Sequence, residues 1–431
     1  MPVRRTMPSV GRDSVAQHVA VIGAGIVGTA TAIELLRDGH RVTLIEPGDP
    51  GGEQAASYGN GTLLNPSSVI PMSAPGLWRK VPGYLADPLG PLAIRWSYLP
   101  RLAPWLWRFL RAGATEARVA AVAHALRPLI LDAPERHRRL AEEAGVGHLI
   151  TRQGVLFVFP SRADFEAESL SWRIRAENGV RWLELSEEEL RQRVPVLDRR
   201  YKFALLVEAN DQCRDPGAYV AALAQHALAL GATRHRARAT GFRIENRRLR
   251  AVRTNIGDID CDKAVIAAGA WSKTLAAAAG DRVPLETERG YHVVIENPGI
   301  EPRYPIMPSD GKMACVMTPQ GLRLAGQVEL AGLDAAPNWE RAEVLRKFAR
   351  RVFPGLSEAA QVRRWMGHRP STPDGLPCIG SASDCTDVLY AFGHGHVGLT
   401  AGAATARLVA DLVGGRTPSI DLTPYAATRF R

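Results

Sequence analysis

His18-Val19-Ala20-Val21-Ile22-Gly23-Ala24-Gly25-Ile26-Val27-Gly28 decides the fold of this chain. A short apolar run suited to a buried strand ends on Gly23, and the glycines that follow complete the pattern GxGxxG. The periodicity then turns helical over residues 26–37, stops at Asp38-Gly39-His40, and resumes as a second apolar strand over 41–45 that ends on Glu46. This is a βαβ unit for a dinucleotide. Gly23 permits the tight turn, Gly25 lets backbone approach a pyrophosphate, and Gly28 lets helix and strand pack closely. Ile26 and Val27 open the helix, whose free N–H groups and positive dipole end suit phosphate. Glu46 stands where an acid accepts hydrogen bonds from an adenosine ribose, and its charge disfavours the extra phosphate of NADP.

The fold class expected from this start is α/β. A Rossmann-like nucleotide domain is interleaved with a substrate domain built on a mainly antiparallel sheet with helices. The nucleotide domain is expected to take residues 18–70, 205–282 and 367–425, the substrate domain 71–204 and 283–366, and residues 1–17 a disordered basic lead. Between 71 and 110, Trp78, Trp96, Trp105 and Trp107 stand among many prolines, a poor pattern for one regular element. Helices are expected over 114–126, 129–143 and 163–177. Asp215-Pro216-Gly217 starts another with an N-cap and a proline at the first helical position. A basic β-meander over 237–259 leads to the apolar run 264–268, which suits a parallel strand buried on both faces. Alternation over 291–295, 315–318 and 322–325 reads as antiparallel strands, and 339–352 as a helix.

A chain of 431 residues, 46% hydrophobic and 23% charged, can bury a sizeable core in two lobes. Its formal charge of +10 comes mostly from arginine, because only six lysines are present. The basic stretches 101–139 and 234–253 read first as solvated faces, and the second contains only Phe242 as a stacking aromatic, so no nucleic-acid partner is expected. Five scattered cysteines lack a CxxC pair or a histidine at metal-ligand spacing, so no metal is expected and the thiols fit a reducing, cytoplasmic compartment. No apolar run reaches the length of a membrane span.

Four landmarks in this order resemble the FAD-dependent D-amino acid oxidase superfamily, in particular bacterial D-amino acid dehydrogenases (small subunit) and glycine oxidase. They are Gly23 to Gly28 with Glu46; Ala55-Ala56-Ser57-Tyr58-Gly59-Asn60-Gly61; Ile266-Ala267-Ala268-Gly269-Ala270-Trp271-Ser272; and, near the end, Gly367-His368-Arg369-Pro370-Ser371-Thr372-Pro373-Asp374-Gly375 with Gly393-His394-Gly395-His396-Val397-Gly398-Leu399-Thr400. The resemblance implies FAD contacts at Ser57, Asn60, Gly61, Ala268, Gly269 and Trp271, and at Gly393 through Thr400. It implies a noncovalent FAD, since Gly367 occupies the place where a cysteine tethers the flavin in sarcosine-oxidase-like members. The last glycine cluster would pass close to a flat ring, and the helix from Leu399 would aim its positive end at that ring.

The family's carboxylate-binding arginine corresponds to Arg369, with pairing to Asp374 as its structural alternative. Tyr291 and His292 fall where the family places residues beside the substrate. Adjacent strand residues point to opposite faces, so at most one of the two should face the pocket, and Tyr291 has the better claim. The implied reaction is FAD-dependent oxidative deamination of a D-amino acid, including cyclic ones such as D-hydroxyproline, by hydride transfer to flavin. The alternatives are oxidation of an N-substituted glycine or opine as a subunit of a hetero-oligomer, and a tRNA-modifying FAD domain. The electron acceptor is oxygen or a quinone or other carrier, and the oligomeric state is open. For the Trp-rich segment, a lid or core layer is the first expectation and peripheral contact with the inner membrane the second.

Overall fold

Two sheets organise the computed structural model, which describes residues 16–87 and 90–431. Of the lead expected over 1–17, residues 1–15 lie outside the described residues. The first sheet has six strands in the order Thr233–His235, Arg41–Ile45, His18–Ile22, Lys263–Ile266, Val388–Phe392 and Cys378–Ser381; all neighbours are parallel except the last pair. The central strands His18–Ile22, Lys263–Ile266 and Val388–Phe392 are largely apolar on both faces because both faces are covered, whereas the edge strand Thr233–His235 is polar and part-exposed. Val19 and Val21 pack toward the helices Ile26–Arg37, Pro216–Ala229 and Gly398–Val413. Ala20 and Ile22 pack toward Phe242 and Val252 of an antiparallel ribbon and Leu275 of the helix Ser272–Ala278. Full burial of each Val, Ile or Leu side chain contributes roughly 1.5–3 kcal/mol, so this strand pattern fixes the first sheet in place.

The second sheet is larger and mainly antiparallel. Its order is Val362–Ser371, Glu286–Ile295, Gly321–Leu330, Ala314–Thr318, Ile306–Pro308, Val155–Phe159, Phe203–Val207 and Leu183–Leu185, with Leu92–Ile94 joined beside Gly321–Leu330. The helix Glu340–Val352 covers one face, where Leu345, Phe348 and Val352 meet Tyr291, Val293 and Ile295. The opposite face of the Glu286–Ile295 strand looks toward the nucleotide sheet.

Several expected boundaries move. The strand Phe203–Val207 lies in the second sheet, within the 205–282 segment expected in the nucleotide domain, and Val362–Ser371 stays in that sheet past residue 367. The helices Glu116–Ile130 and Ala133–Glu143, expected in the substrate domain, pack Val119, Ala123, Leu129 and Leu140 into the helical layer of the first sheet. Helical periodicity marks an apolar face but does not say which layer covers it. The helix expected over 163–177 is two, Arg162–Glu166 and Ser169–Glu177. The Trp-rich stretch is largely helical after all, with Leu77–Ala86 and Leu99–Ala112 each accommodating an internal proline. Leu102 and Trp105 anchor the second of these against Leu330, and this packing overrides the local cost of Pro104.

Candidate active site

Both ends of the chain meet in one cavity of about 590 Å³ between the two sheets. Its nucleotide end is built by the first βαβ unit. Gly23 has φ of +104°, and a Cβ there would stand 2.4 Å from the Ala267 carbonyl oxygen, so only glycine fits the turn. A Cβ on Gly28 would stand 1.9 Å from the Gly23 carbonyl oxygen, which is the close helix packing the motif requires. Gly25, Ile26 and Val27 line the cavity. Glu46 lines it too, and its carboxylate accepts from the N–H groups of Ala24 at 2.9 Å and Gly48 at 3.0 Å, which ties it to the glycine turn. The Ser57 hydroxyl accepts from the Ile26 N–H at 3.1 Å, so this side chain sits at the start of the first helix.

The loop carrying Ser57, Asn60 and Gly61 lies across the cavity wall. Arg323, buried, holds it by donating to the carbonyls of Tyr58 at 3.2 Å and Asn60 at 3.1 Å. Ala268, Gly269 and Trp271 line the opposite wall; Trp271 is 41% exposed and meets His368 edge-on, so it is no core indole. From the far end of the sequence come His394, Gly395, His396, Val397, Gly398, Leu399 and Thr400. They begin the helix Gly398–Val413, whose first turn has no side-chain cap, so its amides and dipole face the cavity. The Thr400 hydroxyl is spent on the Leu63 carbonyl and the Asn65 N–H, fixing that helix start. Gly393 stands behind the wall against Thr372 and does not line the cavity.

Arg369 comes from the Val362–Ser371 strand and lines the other end of the cavity. Its guanidinium donates to the carbonyls of Gln327 at 3.1 Å and Gly326 at 3.5 Å, and forms no ion pair with a described residue. The structural alternative fails, because Asp374 pairs with Arg429 at 2.8 Å instead. Gly290, cross-strand from Gly367, leaves the space in which the guanidinium lies; a Cβ there would stand 2.3 Å from Nη2. Burial lowers the pKa of Arg369, and Glu288, its cross-strand partner, pulls it back up.

Tyr291 and His292 do not line the cavity. Tyr291 faces the helical side, where its hydroxyl donates to Glu329 and accepts from the Asn338 N–H at 2.9 Å. His292 is on the cavity face but lies under the Gly59 carbonyl, to which Nδ1 donates at 3.2 Å, and stacks on Trp365 at 4.9 Å. The strand starts at Glu286, five residues before the stretch first read as strand, so alternation brings Glu288 and Gly290 to the cavity instead. Sequence reasoning missed Glu288, Arg323 and His368; counting back by twos from Gly290 was the signal available for Glu288.

Histidines here are neutral at pH 7. Burial lowers His394 and His368 to about 4 and His292 to about 3. His396, exposed to the cavity though deep in the molecule, also falls to about 4 through burial and then the Arg369 charge. Among the described residues, no group of three or more His, Cys, Asp or Glu is placed to hold a metal ion.

A dinucleotide cradle at one end and a half-buried guanidinium at the other define an oxidoreductase that brings a nucleotide cofactor to a small acid. The chain belongs to the family described as FAD dependent oxidoreductase, whose model matches residues 18–412. It is 60% identical over 417 residues to a D-amino-acid oxidase of Bradyrhizobium diazoefficiens, covering 96% of this chain and 99% of that one. A D-amino acid dehydrogenase of Paramagnetospirillum magneticum is 30% identical, covering 96% and 98%. Among solved structures, glycine oxidase from Geobacillus kaustophilus shares the fold with a TM-score of 0.73 at 22% identity, covering 96% and 99%. The protein is an FAD-dependent amino acid oxidoreductase. The cavity fits that cofactor: glycine backbone, free helix amides and Glu46 stand at one end, and room for a ring beside residues 394–398 at the other.

Proposed function

We infer that the protein oxidises a D-amino acid at Cα to the imino acid, with Arg369 as the residue that holds the substrate carboxylate. FAD supplies the acceptor for the Cα hydride when bound. The observation that carries this reading is the state of Arg369: a guanidinium on the cavity wall, deep in the molecule, without an ion pair among the described residues. A half-buried guanidinium that makes no ion pair with its cross-strand acid Glu288 is costly to hold, which is supportable where an anionic ligand completes it. Two of its five N–H groups are taken by the Gln327 and Gly326 carbonyls, which fix the plane of the guanidinium and leave donors for a carboxylate. Neutral His368 and His396 add no second positive charge beside it at pH 7. The 60% identical oxidase supports D-amino acids as the substrate class and oxygen as acceptor.

The cofactor is noncovalent in this reading, because Gly367 holds the tether position and the five cysteines are buried off the cavity wall. The exposed Trp78, Trp96 and Trp107, with exposed Arg79, Arg101 and Arg108 nearby, support peripheral contact of a cytoplasmic protein with an anionic bilayer. Sedimentation with anionic vesicles tests that contact, and no enrichment over neutral vesicles removes it. The activity is tested by anaerobic reduction of the bound flavin with D-, L- and N-methyl amino acids in parallel. Bleaching by D-amino acids ahead of their L-counterparts is expected; bleaching by N-methyl or L-compounds alone overturns the reading.

A further inference from the structure

Glu288 is the one carboxylate at the Arg369 end of the cavity among the described residues, since the other cavity carboxylate, Glu46, is bound to the glycine turn. It is 6% exposed and lines both the main cavity and a small pocket continuing behind Ser371, Thr372 and His396. In register it faces Arg369 directly across the two strands, which puts the side chains on the same face of the sheet. Yet the two are not joined as an ion pair, and Arg369 spends its observed hydrogen bonds on carbonyls instead. A guanidinium and a carboxylate thus stand side by side on the cavity wall without an ion pair; burial raises the pKa of Glu288, and the Arg369 charge and the Ser371 hydroxyl pull it back down.

We propose that Glu288 is the anionic half of the substrate site, holding the substrate's ammonium while Arg369 holds its carboxylate. This rests on the reading of Arg369 given above. A ligand that carries both charged groups on one carbon satisfies both side chains at once, whereas a simple carboxylate leaves Glu288 facing its own negative charge. The pair therefore selects α-amino acids over acids lacking the amine, by attraction for the one and repulsion of the other.

The test uses FAD-loaded protein and two ligands of nearly one shape. The first is 2-aminoisobutyrate, a zwitterion with no Cα hydrogen to lose; the second is pivalate, in which a methyl group replaces the ammonium. Binding is followed by the change in the visible flavin spectrum or by calorimetry. Wild type should prefer 2-aminoisobutyrate. In Glu288→Gln its affinity should fall roughly tenfold or more, the scale of a charge-assisted hydrogen bond, while pivalate binds as well as before or more tightly. Glu288→Asp should restore the preference for the amine. Equal weakening of both ligands in Glu288→Gln, or no change in either, overturns the proposal. Binding of neither ligand to wild type overturns the reading of Arg369 itself. Flavin content and unfolding midpoint of each variant identify simple misfolding, in which case the Asp variant alone decides between restored and absent preference.

Discussion

Glu46 spans the nucleotide end of the cavity with two accepted hydrogen bonds, from the N–H groups of Ala24 and Gly48. Removing the side chain leaves both donors unmet beside the cofactor. Glu46→Ala should raise the dissociation constant of FAD about tenfold or more, a carboxylate hydrogen bond contributing roughly 1.5–3 kcal/mol. Titration of apoprotein with FAD measures it, and an unchanged affinity would remove Glu46 from the cofactor site. At this scale much of the site was legible. Gly23 and Gly28 could be assigned because backbone approaches of 2.4 Å and 1.9 Å to a notional Cβ exclude every other residue. Glu288 could not, because its role depends on which way a strand faces and where it begins. His292 illustrates the same limit from the other side: it does face the cavity side of its strand, but Trp365 and the Gly59 loop cover it.

Among the elements, the strand Val362–Ser371 and the loop after it matter most, since they carry Arg369 and end against the last residues of the chain. Arg429, in the 3-10 turn Ala427–Phe430, donates to Asp374 and to the Leu376 carbonyl at 2.6 Å, pinning the loop from behind. Arg429→Ala strands a part-buried Asp374. We expect a loss of about 3 kcal/mol, the lower end for breaking a buried ion pair, seen as a fall in the denaturant midpoint of the holoprotein. A midpoint equal to wild type would mean the pair is solvated and idle. The order of elements was readable from periodicity and turn residues, but their partners were not. The helices over 116–143 look alike whether they cover the first sheet or the second, and the prolines of 77–112 hid two helices whose stability comes from packing rather than propensity.

Across the whole molecule, the buried histidines set the response to acid. His137 and His394 are lowered to about 4 and His292 to about 3, chiefly by burial, against 6.5 for an unperturbed ring. Below pH 6.5 the unfolded chain takes up protons that the folded protein refuses. Stability is therefore full above 6.5 and is lost progressively as pH falls from 6.5 toward 4. Denaturant midpoints between pH 7.5 and 5 should decline steadily; a flat profile would show that these rings are charged in the fold. The first and last long helices are joined in the same way by charge: Arg407 bridges Glu34 at 2.8 Å, Asp38 at 2.5 Å and Asp411 at 3.0 Å. That network closes the nucleotide lobe from both ends of the chain.

Arg369→Lys tests the central claim most directly, with reduction of the flavin by the preferred D-amino acid followed anaerobically. A lysine keeps the charge but loses the planar fork, so substrate binding should weaken by roughly 1.5–3 kcal/mol while FAD stays bound and its visible spectrum persists. Loss of the cofactor together with normal reduction by the remaining holoprotein would contradict the account.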